Sequence, residues 1–279
     1  MIKTLFNLFS YLYCIIFIAS NAGSEYGVSR LQKIKLAIRI ISNNMNIETL
    51  SGWQQHLLLV EEILSIPKEL QGVVVECGCY DGSSTANLSL ACALTNRHLI
   101  VCDSFEGLPS VIEDEKYAIH GKSTDYYKWE KGEFHSHGGL EGVTRSVAKY
   151  GDIQVCTFLK GYFNDTLERI VSPVVMVFED ADLASSVRDC LKHIWPLLLD
   201  GCKFYSHEAW DINVVSVFYD KKWWEEELNT NIPGFFGSGQ GTIKDIRFFP
   251  DIGFTKKFNL DNIKKNGKQL VHMGSKGFE

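Results

Sequence analysis

No stripe of basic residues interleaved with aromatics occurs anywhere in this 279-residue chain, whose formal net charge is -6 and whose pI is about 5.8. Nucleic-acid partners are held by concentrated positive charge, so the composition points to small molecules instead. Between residues 30 and 260 there is also no Pro/Ser-rich tract, no low-complexity run and no internal repeat. With nothing to mark a linker, and with 45% hydrophobic residues to fill a core, one large α/β domain is the simpler reading. Zinc is disfavoured, because Cys77-Gly78-Cys79 has no second Cys/His pair at zinc-finger spacing. Two nucleotide folds lack their marks as well: no lysine follows Gly82 as a phosphate-binding loop requires, and no G-x-G-x-x-G occurs.

What is present is organised around Gly72 to Pro109, G-V-V-V-E-C-G-C-Y-D-G-S-S-T, a helix-forming run to Leu94, then H-L-I-V-C-D-S-F-E-G-L-P. The β-branched run Val73 to Val75, the punctuating Gly78 and Gly82, and the second apolar run Leu99 to Cys102 predict strand, turn, helix, strand. Such a unit is a right-handed βαβ crossover, and its ligand crevice lies at the carboxyl ends of the strands. Both strands end in acids, Glu76 and Asp103. Acids beside the loop, Glu76 and Asp81, repel a pyrophosphate but attract the ammonium and sulfonium of S-adenosylmethionine. The loop therefore favours a methyl donor over a dinucleotide. A bland domain needs glycines at such turns too, so the loop alone does not decide.

Three further blocks follow in order: C-D-S-F-E-G-L-P, L-K-G-Y-F-N-D-T-L at 159 to 167, and V-F-E-D-A-D-L-A-S-S-V-R-D-C-L-K-H-I-W-P-L-L at 177 to 198. Together they resemble the TylF/MycF/NovP family, the macrocin-type O-methyltransferases, over roughly Leu31 to Tyr219. The resemblance implies an α/β, Rossmann-like class I methyltransferase: a mostly parallel twisted sheet with helices on both faces and an antiparallel closing strand. It implies S-adenosyl-L-methionine as cofactor, bound by Glu76, Gly78, Asp81, Gly82, Ser83, Asp103, Ser104, Phe105, Gly161, Tyr162 and Phe163. An aromatic ring at 162 or 163 would flank the adenine, although both rings serve equally well as core.

Chemistry is expected after the fourth strand, Val174 to Phe178, where Glu179, Asp180 and Asp182 crowd together. Like charges so close need a cation or a proton. Asp180 and Asp182 match the D-x-D of the family's L-D-x-D-L-Y-x-S pattern, which implies that Asp180 is a magnesium ligand beside the acceptor hydroxyl. Asp182 serves equally as N-cap of a helix Leu183 to Leu198. One departure stands out. The family's sugar methyltransferases carry two adjacent aspartates after the fifth strand as the other metal ligands, and this chain has Ser206-His207-Glu208. His207 and Glu208 are the substitute ligands, with imidazole shifting preference from Mg2+ toward softer ions, or His207 is the general base of a metal-free reaction. The expected function is O-methylation of a hydroxyl on a small, sugar-bearing metabolite. Two alternatives are a non-catalytic binding module on the same fold, favoured by the altered Ser206-His207-Glu208, and an NAD-linked nucleotide-sugar oxidoreductase, disfavoured by the missing G-x-G-x-x-G and by the lack of a Tyr-x-x-x-Lys pair.

Around this domain, taken as 71–260, the sequence predicts N-terminal helices in 25–70 and a polar tail in 261–279. The helices are Arg30 to Ile41, with Lys33, Lys35 and Arg39 opposite its apolar face, and Trp53 to Leu64, in which His56 is a packing histidine. Residues 1–24 are apolar with a single lysine and read equally as a signal or membrane-anchor segment and as a helix docking on the domain or on a second subunit. The eight cysteines fall mostly inside predicted elements, which suits buried free thiols and a reducing, cytoplasmic compartment. A membrane partner follows only from the anchor reading, and a homo-oligomer from the docking reading. From Pro109 to Gly139 no strand signal appears. Tyr117, Tyr126, Tyr127, Trp129 and Phe134, with His120, His135 and His137, suggest a lid over the acceptor, with histidine-bound metal a weaker alternative.

Overall fold

The computed structural model describes residues 12–119, 126–245 and 247–258. Residues 12–19 are helical (α1), followed by α2 (Arg30–Asn46) and α3 (Trp53–Ser65). The sheet and its crossovers then run β1 (Val73–Cys77), α4 (Ser83–Thr95), β2 (Leu99–Asp103), the hairpin β3 (Tyr117–Ile119) and β4 (Tyr126–Lys128), α5 (Gly139–Tyr150) and β5 (Cys156–Lys160). The second half is α6 (Phe163–Thr166), β6 (Val174–Glu179), α7 (Ala184–Ile194), β7 (Leu198–Ser206), α8 (Ile212–Val217), α9 (Lys221–Leu228), β8 (Gly241–Lys244), β9 (Arg247–Pro250) and β10 (Gly253–Lys256).

Strands β1 and β6 are buried without alternation and apolar apart from one acid each, Glu76 and Glu179, as suits a sheet covered on both faces. The main sheet has six strands in the order β10-β7-β6-β1-β2-β5. Its first five in chain order are parallel, and β10 closes it antiparallel to β7. The chain steps outward from β1 through β2 to β5 and then returns to β6 on the other side of β1. The order therefore reverses at β1/β6, and a crevice opens at the carboxyl ends of those strands. Helices α2, α3 and α4 pack on one another across one face, with Leu57, Leu58, Leu59, Val60 and Ile63 of α3 buried in the main core.

Several expectations change. Lys33 is buried, not on the open face: its ammonium donates to the carbonyl of Ser20 (2.5 Å) and reaches that of Phe17 (3.4 Å), so it ties α1 to α2. Phe17 is itself fully buried, and the Tyr13 hydroxyl donates to the Phe248 carbonyl. No helix among the described residues is long and apolar enough to cross a membrane. β5 begins at Cys156, because Ile153–Val155 before it is a 3-10 turn capped by Asp152. After β7 the chain forms two short helices rather than one, since Asp220 accepts from the Trp223 amide and starts α9 afresh. The stretch after Pro109 does contain strands, the β3/β4 hairpin, while His120 falls outside the described residues. All eight cysteines are free thiols, six of them buried.

Candidate active site

The loop between β1 and α4 forms the floor of the site. Gly78 has φ +86°, and a Cβ there would collide with the Asp180 carbonyl, so only glycine lets the two strand ends approach this closely. The Gly78 amide donates to the Cys102 carbonyl at 2.9 Å and the Asp180 amide to the Cys77 carbonyl at 2.8 Å. Three strand ends are thereby locked in register beneath one cavity. Asp103, at the end of β2, accepts from the amides of Cys79 (2.7 Å) and Phe105 (2.6 Å), one on each carboxylate oxygen. Burial raises its pKa, opposed by those amides.

The cavity above encloses about 1030 Å³. Gly78, Ser83, Asp103, Ser104, Tyr162 and Phe163 of the expected cofactor set line it, together with Asp180, Asp182, His207 and Glu208. The other five lie just outside. Gly82 (φ +85°) starts α4, Phe105 is buried at φ +58° in the turn after β2, and the Gly161 amide donates to the Asp103 carbonyl. Glu76 is fully buried under the loop, where its carboxylate accepts from the Thr85 hydroxyl at 2.6 Å. Burial pushes its pKa up to about 8, only partly offset by the Ser84 and Thr85 hydroxyls. It clamps α4 as a protonated acid and does not face a ligand. Asp81 faces the lid: its two oxygens accept from the amide and the ring Nδ1 of His137, each at 2.6 Å. With Glu48, whose carboxylate lies 3.9 Å from the same ring nitrogen, Asp81 and His137 bring three ligand-type atoms within 4.8 Å of one another.

Sequence reasoning placed no specific residue of the lid in contact with the domain. Leu108, Ala118 and Trp129 form a small separate core with Leu183, against which Phe134 and Trp210 pack. Trp129 sits at the centre, with ring centroids 4.8 Å from Tyr127, 6.2 Å from Phe134 and 6.3 Å from Trp210. Asp211 holds the hairpin from below by accepting from the Ile119 amide at 3.0 Å. The result is an aromatic wall facing the carboxyl end of β6, and Tyr127, Trp129, Phe134 and Trp210 all line the cavity.

On the opposite side, parallel pairing of β6 and β7 sets Glu179 beside Ser206 and brings Asp180, His207 and Glu208 together. His207 Nδ1 lies 3.2 Å from Asp180 and 3.6 Å from Glu208, and Nε2 lies 3.4 Å from the Gln55 amide oxygen on α3. One ligand-type atom from each of Asp180, His207 and Glu208 falls within 4.8 Å of the others. Asp182 lies outside that triad and does not cap α7: Leu183 occupies the cap position and Asp182 has φ +62°. Burial lowers the His207 pKa, but Asp180, by charge and hydrogen bond, overrides it and lifts the imidazole to about 9. Burial works to raise the Asp180 pKa, and His207 outweighs it and holds the carboxylate low. Glu208, Glu179 and Asp182 are all pushed up, by burial first and then in each case by the Asp180 charge among others.

Two donor sets therefore fit absent groups. Asp180, His207 and Glu208 offer two carboxylates and an imidazole on one small volume, while one oxygen of the buried Glu179 beside them has no partner. On the loop side the buried Ser83 hydroxyl has no partner either and lines the same cavity as Asp103 and the ring of Tyr162, as a polar, nucleoside-sized ligand would need.

Comparison with known proteins gives the family and the fold. An 8-demethyl-8-(2,3-dimethoxy-alpha-L-rhamnosyl)-tetracenomycin-C 4'-O-methyltransferase of Streptomyces olivaceus is 33% identical over 141 residues, 47% of this chain and 50% of that protein. The demethyldecarbamoylnovobiocin O-methyltransferase of Streptomyces niveus is 26% identical over 194 residues, 65% of this chain and 60% of that one. The chain thus spans half to three fifths of the length of these relatives. Among solved structures, the O-methyltransferase NovP superposes with a TM-score of 0.59 at 19% identity, covering 90% of this chain and 100% of that one. A calicheamicin methyltransferase gives 0.52 at 14% identity, covering 81% and 92%. These likenesses show the fold to be that of class I methyltransferases. The macrocin O-methyltransferase (TylF) family pattern matches residues 54–205, from α3 behind the site to the end of β7 beneath it, and because that is more than half of the chain, the protein belongs to this family.

Proposed function

We propose that the protein is an S-adenosylmethionine-dependent O-methyltransferase whose acceptor is a hydroxyl on a small, sugar-bearing molecule. The observation that supports this most directly is the single cavity in which the Gly78–Ser84 loop and Asp103 meet the Asp180/His207/Glu208 cluster under an aromatic wall. The two curated relatives act on a rhamnosyl tetracenomycin and on a novobiocin precursor. A sugar presents hydroxyls to carboxylates on one face and C–H groups to aromatic rings on the other, and the cavity offers both surfaces.

S-adenosylmethionine, when bound, supplies the electrophilic methyl group, and a divalent cation held by Asp180, His207 and Glu208 would supply charge stabilisation to the acceptor oxygen as its proton leaves. The chain's own groups do the rest. Asp103 braces the loop through two backbone amides, and the Ser83 hydroxyl is available to a polar ligand atom. The ring of Trp129 and its neighbours orient the acceptor and exclude water. Exposure separates the roles of the three polar groups: the Asp180 side chain is 28% exposed, that of His207 13% and that of Glu208 1%. Asp180 is therefore the group that reaches an acceptor hydroxyl and takes its proton, while His207 fixes the orientation of that carboxylate.

The test is calorimetric titration of the full chain with S-adenosylmethionine, S-adenosylhomocysteine and NAD, with and without Mg2+ or Mn2+. Binding of the two adenosyl ligands and not of NAD is expected, as is a metal heat lost in Asp180→Ala. No adenosyl binding at millimolar ligand would remove the enzymatic reading and leave a non-catalytic module.

A further inference from the structure

At the rim of the cavity, three segments distant in sequence bring side chains to one point. Glu48 comes from the connection between α2 and α3, Asp81 from the glycine loop before α4, and His137 from the end of the lid before α5. One ligand-type atom of each lies within 4.8 Å of the others, and the cluster shares no residue with Asp180, His207 and Glu208. Each carboxylate has one oxygen anchored by a donor and the other free to face the imidazole. Asp81 Oδ1 accepts from the His137 amide at 2.6 Å and Glu48 Oε1 from the Tyr80 hydroxyl at 3.1 Å, while Asp81 Oδ2 and Glu48 Oε2 lie 2.6 and 3.9 Å from His137 Nδ1. Among the described residues no lysine or arginine pairs with either acid, so His137 is the one cationic partner both share.

The geometry points to a metal site separate from the catalytic cluster, in which Glu48, Asp81 and His137 hold a divalent ion of the zinc class and strap the end of the lid to the glycine loop. One imidazole with two carboxylates suits Zn2+, Co2+ or Ni2+ better than Mg2+, which prefers oxygen alone and keeps its waters. A second imidazole, that of His135, stands with its ring centroid 5.9 Å from that of His137 and adds a nitrogen donor at the rim. Around a tetrahedral ion bonded at about 2.1 Å, ligand atoms stand about 3.4 Å apart. The 2.6 Å contact must open and the 3.9 Å contact close, each by less than about 1 Å. The side chains are placed to do so: those of Glu48 and His137 are 64% and 60% exposed, while Asp81, at 12%, stays fixed by the backbone amide it holds. Nδ1 releases its proton to solvent as the ion takes its place, and a water completes the coordination. The ion acts on the lid and not on the reacting atoms. Ser136 donates to the Tyr80 carbonyl at 2.5 Å, and the Tyr80 ring meets Phe134 edge-on at 6.3 Å. The strap thus continues into the aromatic wall, and opening that wall requires a coordinate bond to break.

The test is calorimetric titration of the full chain with Zn2+, alongside His137→Gln, Glu48→Gln and Asp180→Ala chains whose folding is checked by far-ultraviolet circular dichroism. A Zn2+ ion bound with micromolar Kd is expected in the wild type and in Asp180→Ala, which separates this site from the cluster at the end of β6, and millimolar Mg2+ is expected not to displace it. His137→Gln and Glu48→Gln, both changes at exposed positions, are each expected to weaken that binding at least about 30-fold, since each removes a protein ligand. Hydrogen exchange supplies a local readout that does not depend on Asp180→Ala. Zn2+ is expected to slow exchange of the amides of residues 132–138 at least about fivefold in the wild type and to leave them unchanged in His137→Gln. A wild-type chain or a folded Asp180→Ala chain that takes up no Zn2+ at about 100 µM metal would overturn the inference. Zn2+ binding indifferent to His137→Gln and Glu48→Gln would assign the metal to the native thiols and overturn it, and binding that leaves exchange in residues 132–138 unchanged would overturn it as well.

Discussion

The most exact physical statement the structure makes outside the cavity concerns His56, and it can be tested without knowing any ligand. His56 is fully buried on α3. Its Nδ1 lies 2.9 Å from the Asn87 side-chain nitrogen and its Nε2 2.8 Å from the Ser51 hydroxyl. With Asn87 donating to Nδ1, the ring proton belongs on Nε2, and a second proton has no acceptor to meet. Burial, with His207 nearby adding repulsion, pulls the pKa down to about 3. A histidine whose folded pKa lies below its unfolded value of about 6.5 contributes stability that is complete above pH 6.5 and is lost as pH falls from there toward 3. At about 1.36 kcal/mol per unit, roughly 2 kcal/mol disappears between pH 7 and pH 5. The perturbation is His56→Gln, which is neutral throughout. The assay is urea unfolding of both proteins at pH 7, 6 and 5 with linear extrapolation. The variant starts less stable, by about 1–3 kcal/mol for the lost hydrogen bonds, and the gap between the two proteins closes by about 2 kcal/mol at pH 5. A gap that does not change with pH, or a His56 ring that titrates near 6.5 by NMR, would refute the reasoning.

Gly78→Ala places a methyl group against the Asp180 carbonyl at a left-handed φ of +86° and is expected to cost about 3 kcal/mol or more, read by urea unfolding, and to abolish heat on titration with S-adenosylhomocysteine. Trp129→Ala is expected to speed hydrogen exchange across residues 108–118 and 127–134 while leaving S-adenosylhomocysteine affinity within about threefold, because Trp129 packs the lid and not the loop below β1. Glu61→Gln uncouples a pair buried at 4% and 2% side-chain exposure, Glu61 with Arg247 at 3.0 Å. With Asp245 still holding the guanidinium at 2.7 Å, the loss is expected to be about 2–3 kcal/mol in thermal unfolding.

How far the sequence could be read depended on the range of the interactions involved. Strands β1, β2 and β6 are apolar runs with an acid at or next to the carboxyl end, which made these three strands of the parallel core legible from local sequence. The β3/β4 hairpin was not: each strand has three residues, and the apolar side chains that bury it, Leu183 and Trp210, come from distant elements. Asp81 looked like a cofactor ligand because it sits in the glycine loop, and only the fold brings His137 to both of its oxygens from 56 residues away. Lys33 looked exposed for a similar reason. A lysine on a helix face is ordinarily solvated, and here the carbonyls at the end of α1 come close enough to take its ammonium into the interior.

The acids at the strand ends show why position alone did not separate their roles. The sequence lines up Glu76, Asp103, Glu179 and Asp180 as four carboxylates after three strands, and by spacing they are equivalent. Their partners make them different. Glu76 receives a hydroxyl and is pushed toward its neutral form, Asp103 is bound to two amides, and Glu179 accepts the Ala181 amide at 2.8 Å from full burial. Each of these holds backbone or helix in place. Asp180 alone combines a cationic neighbour, which keeps it ionised, with a side chain open to the cavity. That neighbour is His207, the residue at which this chain departs from the paired aspartates of its family. An aspartate there would add a third negative charge to the cluster and would need a cation to relieve it. An imidazole relieves part of the charge itself and holds the Asp180 carboxylate low, so the methyl transfer proposed above, with Asp180 taking the proton, is expected to persist after metal removal with a chelator.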